Sequence, residues 1–140
     1  MLELYHSGLT TCSKQVRLCL REKGLDYASR YVELWTYENI GADYLALNPD
    51  GVVPTLVHDG VPITNSQAIN EYLDDIFPDP PLRPADPVQR AKMRAWTSRA
   101  DEVHQFVITA TYSHVLAKSF VELGPEIVET ILAHTPVPSR

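Results

Sequence analysis

The sequence predicts an α/β fold, a four-stranded mixed sheet with flanking helices, followed by part of an all-α domain. Three observations carry this expectation. The chain opens as strand, helix, strand; Asp59-Gly60 then joins two short apolar runs as a hairpin; and beyond a proline-rich stretch the apolar residues recur at helical spacing.

Leu2 to His6 alternates apolar and polar side chains and meets Ser7-Gly8, the signature of a strand ending in a turn. From Ser13 the period changes. Val16, Leu18, Cys19 and Leu20 form the apolar stripe of a helix, Gly24 suits its C-terminal cap, and Thr10, Thr11 and Ser13 are candidate N-caps. Arg30 to Leu34 reads as the second strand, and such a crossover is almost always right-handed, making the two strands parallel. Between Trp35 and Leu47 the pattern supports one or two helical turns around Tyr44, Leu45 and Leu47. Thr55–His58 and Val61–Thr64 flank Asp59-Gly60, a dipeptide that favours a two-residue hairpin turn. Asn65-Ser66 then caps a helix with Ile69, Tyr72, Leu73 and Ile76 on one face, ended by Pro78.

Residues 78–87 hold five of the eleven prolines and read as a semi-rigid linker, leaving 1–77 as one domain and 88–140 as the start of an all-α one. There Trp96, Ala100, Val103, Val107 and Ala110 recur at spacings of four, three, four and three. A further helix is expected from Pro125 through Ala133, with Ile127, Val128, Ile131 and Leu132 apolar. Two helices cannot close a core alone, so this domain is expected to be incomplete here.

A net charge of -6 without clustered Lys or Arg argues against a nucleic-acid surface. No apolar run approaches the ~18 residues of a membrane-spanning helix, so no membrane partner is expected. The start, Met-Leu-Glu-Leu-Tyr-His, lacks a basic region followed by an apolar one, which predicts a cytoplasmic address. Cys12 and Cys19 fall two helical turns apart and are expected as free thiols. With five scattered histidines, they offer no spacing for a metal.

The organising stretch is Asn48-Pro49-Asp50-Gly51-Val52-Val53-Pro54-Thr55-Leu56, which delivers a proline to a strand entrance. Proline there cannot join the hydrogen-bond ladder, and its preceding peptide is expected to be cis. Val53 would then turn its N–H and C=O outward, a one-residue docking edge for an extended peptide. A tight turn without a ligand is the alternative.

The element order is thioredoxin-like, and the motifs resemble the glutathione transferase superfamily. Asn48-Pro49-x-Gly51-x-Val53-Pro54-x-Leu56 resembles its cis-proline motif; Thr64-Asn65-Ser66-x-Ala68-Ile69-x-Glu71-Tyr72-Leu73 resembles its glutathione carboxylate site and following helix. The resemblance runs from Leu4 to about residue 112. Leu82-Arg83-Pro84-Ala85-Asp86-Pro87, then Arg90-Ala91-x-Met93-Arg94-x-Trp96-Thr97, is similar to bacterial members that include glutathione-dependent β-aryl etherases. It implies glutathione as cosubstrate, an electrophilic aromatic small molecule as second substrate, and a homodimer where the helical domain is complete. The implied activity is glutathione transfer. A β-etherase, a thiol reductase and a non-catalytic or truncated binding module are the alternatives.

Such chemistry needs a thiolate near neutral pH, whereas a free thiol has a pKa of ~8.5. Groups at a helix N-terminus favour the anion, and Thr10, Thr11, Cys12 and Ser13 occupy that place. The resemblance aligns Thr10 with the family's sulfur-contacting Ser or Cys, and Ser13 with the second cysteine of related redox folds. The same residues also read simply as caps. Cys12 is a rival nucleophile, able to form a mixed disulfide with glutathione. Cys19 reads as core.

Ser66 suits the γ-glutamyl carboxylate. Asn65 stands where the family carries Glu or Gln and reads as a ligand for the α-amino group or as an N-cap. The family's basic or amide partner for the glycyl carboxylate is replaced by Ala46, Asp50 and Val52. Asp101 is expected as a solvated helix-face charge; Trp35, Trp96 and Tyr112 in cores; Arg17 beside an acidic neighbour; and His6, His58, His104, His114 and His134 in surface or packing roles.

Overall fold

The computed structural model describes residues 1–8, 10–111, 114, 124–126, 129 and 133. It contains strands β1 (Leu2–His6), β2 (Ala28–Tyr31), β3 (Thr55–His58) and β4 (Val61–Thr64), and helices α1 (Thr11–Glu22), α2 (Ala42–Leu45), α3 (Ser66–Ile76) and α4 (Pro87–Thr111). A single 3-10 turn, Glu38–Ile40, precedes α2. Two compact units are formed, Met1–Leu82 and Arg83–Ala133.

In the first unit the strand order is β2-β1-β3-β4, with β1 and β2 parallel and the other pairs antiparallel. The thioredoxin-like order expected from the sequence is present. Alternation along β1 sends Leu2 and Leu4 into a core with Val16, Cys19 and Leu20 of α1, Leu56 of β3, and Ile69 and Leu73 of α3. Leu18 lies two residues from both Val16 and Leu20, so it leaves the stripe and is exposed; Ile76, the last residue of α3, is exposed too. A smaller cluster of Val32, Tyr44 and Val53, joined by Tyr5 and Leu34, buries further apolar surface.

Helix α1 is punctuated as expected: Thr10 caps its start, and Gly24, at φ +63°, takes the left-handed conformation just after its end. The second strand differs from expectation, ending at Tyr31 rather than Leu34. Tyr31 pairs with His6, the last residue of β1, so the ladder has nothing left to pair. Val32 gives its N–H to the His6 carbonyl (2.9 Å) and turns into the smaller cluster.

The first residues of the proline-rich stretch are anchored rather than merely extended. Lys23, its side chain fully buried, places Nζ 2.5 Å from Asp74 Oδ1 and donates to the carbonyls of Phe77 (2.8 Å) and Pro80 (2.9 Å). Asp74 Oδ1 accepts the Leu82 N–H (2.9 Å). Every partner needed to hold two buried charges is supplied locally.

In the second unit α4 has no buried residue, and its apolar stripe faces outward at Trp96, Val103 and Val107. The tryptophans are therefore not in cores: Trp35 is 60% and Trp96 68% exposed, the latter beneath the Arg99 guanidinium at 5.3 Å. Apolar spacing identifies a helix face but not what covers it. Of the further helix expected from Pro125, the described residues Pro125, Glu126, Glu129 and Ala133 are helical; Ile127, Val128, Ile131 and Leu132 lie outside the described residues, as do Tyr112 and His134.

Removing one member of a buried ion pair strands the other. Asp74→Ala is expected to lower the unfolding free energy of the chain by about 3 kcal/mol in urea denaturation, with Lys23→Met/Asp74→Leu losing clearly less. Equal losses in the single and double variants would contradict this role.

Candidate functional site

One rung of the sheet decides where the candidate residues meet. Tyr5 of β1 pairs with Thr55 of β3, and Thr55 pairs with Thr64 of β4. β1 and β4 run the same way and β3 runs opposite. The residues after Tyr5, before Thr55 and after Thr64 therefore emerge at one end of the sheet. These are the turn into α1, Val53-Pro54 and Asn65-Ser66.

At the first of these, the Thr10 Oγ1 accepts the Ser13 N–H (3.2 Å) and donates to Ser13 Oγ (2.6 Å), which also accepts the Ser7 N–H (3.3 Å). Ser13 is fully buried, Thr10 and Cys12 are half-buried, and Thr11 is exposed. The Thr10 proton is thus directed inward, toward Ser13. Cys12 and Cys19 are both free thiols. Burial pushes the Cys19 thiol up, reinforced by Asp74 and partly offset by Lys23, so this sulfur is a core group.

Val53 and Pro54 are buried, and the peptide between them is cis. The loop before them is fixed by a closed polar network. Asn48 Nδ2 donates to the Val52 carbonyl (2.7 Å) and to Thr55 Oγ1 (3.1 Å), while its Oδ1 accepts the Asp50 N–H (3.1 Å). The Tyr44 hydroxyl donates to the Val52 carbonyl (2.7 Å) and lies 2.9 Å from Thr55 Oγ1. Burial raises the Tyr44 pKa, against the lowering influence of Thr55 and Asn48. Both groups on Val52 point at its carbonyl, yet the N–H and C=O of Val53, a residue 9% exposed, have no partner among the described residues.

At α3, Asn65 Oδ1 accepts the N–H groups of Gln67 (2.9 Å) and Ala68 (3.2 Å), so its side chain is the N-cap. Its φ of +67° is a conformation that asparagine tolerates better than most residues. Ser66 is buried, and its Oγ accepts a hydrogen bond from Gln15 Nε2 of α1. Gln15 was not singled out from the sequence. A glutamine one turn into a helix carries no signal of its own; what makes it matter is that α1 packs on α3, putting the two helix starts within reach of one side chain. Neither helix has an acidic residue in its first turn, so neither positive end is neutralised from within.

Arg17 corrects the expectation of an acidic partner: its Nη1 lies 3.1 Å from His6 Nδ1 and donates to the Ser7 carbonyl (3.0 Å). His6 is buried, with Nε2 2.7 Å from Ser29 Oγ, and His58 is half-buried, 2.7 Å from the Tyr72 hydroxyl. No cluster of potential metal ligands occurs among the described residues. Asp101, Ala46, Asp50 and Val52 are exposed. A separate cleft of about 580 Å³, bordered by Tyr5, Tyr31 and Tyr44, is lined by none of the sequence-predicted site residues.

Residues 11–76 match the family model of the glutathione S-transferase N-terminal domain. The protein LigF of Sphingobium sp. strain SYK-6 is 43% identical over 143 residues, spanning 99% of this chain and 56% of LigF. The crystal structure of that protein, described as a β-etherase, superposes with a TM-score of 0.87 at 35% identity, covering 98% of this chain and 58% of that one. A glutathione transferase homologue from Sulfitobacter, solved with bound glutathione, gives a TM-score of 0.73 at 30% identity, covering 95% and 66%. A probable maleylacetoacetate isomerase from Caenorhabditis elegans is 36% identical, covering 92% of this chain and 65% of its own length. The chain thus spans 56–65% of the length of these two curated relatives. Residues 11–76 are thus a glutathione S-transferase N-terminal domain, the part of the chain that places it beside the glutathione transferases.

Proposed function

We propose that this chain binds glutathione at the shared end of β1, β3 and β4 and holds its sulfur as a thiolate for attack on an electrophilic small molecule. The observation that carries this reading is the N–H and C=O of Val53, which have no partner among the described residues and are set in a fixed loop beside two helix N-termini. A backbone donor and acceptor of one residue, open together, suit one extended residue of a peptide ligand.

The roles follow from the chemistry of each group. Val53 exchanges two backbone hydrogen bonds with the ligand. The Ser66 hydroxyl donates to a carboxylate while continuing to accept from Gln15, and the Ser66 N–H adds the anion preference of a helix start. Asn65, its Oδ1 already committed to the α3 amides, keeps the helix start in place. Glutathione, when bound, supplies a nucleophilic sulfur. Thr10 meets it by turning its proton outward, which the Ser13 hydroxyl permits by donating to Thr10 Oγ1 in its stead. The positive end of α1 favours the anion.

The similarity to LigF favours a finer reading, in which the electrophile is an aryl ether and the sulfur displaces the aryloxide. Cys12, half-buried in the first turn of α1, supports a second reading as a thiol reductase.

Calorimetry is expected to show glutathione binding to the 140-residue chain, weakened about tenfold by Ser66→Ala because a charge-assisted hydrogen bond is removed. Absence of binding at millimolar glutathione would contradict the proposal. Turnover of a chromogenic aryl halide or an aryl ether separates the electrophile classes. Reduction of a disulfide substrate by glutathione is expected to continue undiminished in Cys12→Ala; loss of that activity would favour the reductase.

A further inference from the structure

The turn from β1 into α1 is secured by side chains to which the proposed glutathione site gives no role. Arg17 donates through Nη1 to the Ser7 carbonyl (3.0 Å), and the same nitrogen lies 3.1 Å from His6 Nδ1. A guanidinium has donors only, so His6 Nδ1 must be the acceptor and the ring proton must sit on Nε2. Nε2 lies 2.7 Å from Ser29 Oγ of β2, which accepts that proton. Ser7 in turn gives its N–H to Ser13 Oγ (3.3 Å), which accepts from Thr10 (2.6 Å). Ser7 is fully buried and its own hydroxyl has no partner among the described residues, so it is held through its backbone. Two sets of hydrogen bonds, linked through the Ser7 backbone, thereby join β2 to the hydroxyl at the start of α1.

We propose that Arg17 is a positioning residue for Thr10, and that neutral His6 holds Arg17 in place, so that protonating His6 releases the turn. The inference rests on the reading that the glutathione sulfur sits at the start of α1. The imidazole is faced from α1 by Arg17 and from β2 by Ser29 and the Tyr31 ring, edge-on at 6.1 Å. The β3 register on β1 stops at Tyr5. No carboxylate is among these groups, and a protonated ring would set an N–H against the guanidinium. Burial, and then Arg17, hold the His6 pKa below its ordinary value of 6.5. The folded chain therefore takes up this proton less readily than the unfolded one. The arrangement is intact at and above pH 6.5 and is lost only as pH falls further, through the lowered pKa of the folded chain.

The test follows the ultraviolet absorbance of bound glutathione thiolate against pH, with affinity measured by calorimetry. Arg17→Met is expected to lower the thiolate fraction at neutral pH about tenfold while changing affinity less than about twofold, the mark of lost orientation rather than lost binding. Arg17→Lys, which keeps the charge but not the fork, falls between. In wild type the thiolate is expected to disappear on acidification with more than one proton; His6→Asn, whose Oδ1 replaces the Nδ1 acceptor without titrating, restores a one-proton curve. Normal glutathione binding with an unchanged thiolate curve in Arg17→Met overturns this inference alone. Failure of wild type to bind glutathione overturns the underlying reading and the inference with it. Should Arg17→Met not fold, nitrogen-15 spectra of the wild-type imidazole decide: an Nε2–H tautomer whose protonation shifts the Ser7 and Thr10 amides supports the role, and an Nδ1–H tautomer or unresponsive amides overturn it.

Discussion

The pairing of Tyr5 with Thr55 and of Thr55 with Thr64 is the constraint on which the rest of the first unit depends. A strand slipped by one residue would turn every side chain to the opposite face. Leu2 and Leu4 would leave the core shared with α1 and α3, and Val53, Thr10 and Ser66 would no longer emerge together. Burial of apolar surface on one face of the sheet therefore sets the register, and the register sets the site. The helices contribute by direction: α1 and α3 each begin just beyond a strand end, so both present their N-termini there.

What keeps this end of the sheet rigid is polar rather than apolar. Asn48 and Thr55 are fully buried, and with Tyr44 they satisfy one another and the Val52 carbonyl, leaving the adjacent Val53 groups without a partner among the described residues. A network of this kind is favourable only when every buried member has a partner, and these do. The charged pair Lys23–Asp74 plays the same part at the other end of α3, where it gathers the carbonyls and the N–H of the chain that leaves the helix. Order is supplied where the backbone departs from regular structure.

How much of this could be read beforehand follows from the range of each interaction. Asp59-Gly60 specifies its turn within four residues, so the hairpin bounds in the sequence match those in the structure. Thr10, Gly24 and Asn65 act on neighbours within a turn and were recognisable as helix punctuation. Gln15, Arg17 and His6 owe their partners to packing between elements: Gln15 meets Ser66 across α1 and α3, and Arg17 meets His6 across α1 and β1. Arg17 suggests an acidic neighbour along the chain, whereas its partner is an imidazole eleven residues back on another element. The exposed Trp35 and Trp96 belong to the same class, since hydrophobicity alone does not state what covers a side chain.

One end of the sheet is proposed to form a three-part glutathione site. Titrating glutathione into the nitrogen-15-labelled chain and following backbone amides tests it most directly. The amides of Val53, of Thr11 to Ser13 and of Ser66 to Ala68 are expected to shift together along a single binding curve. Shifts confined to the Tyr5, Tyr31 and Tyr44 cleft, with these amides unmoved, would contradict it.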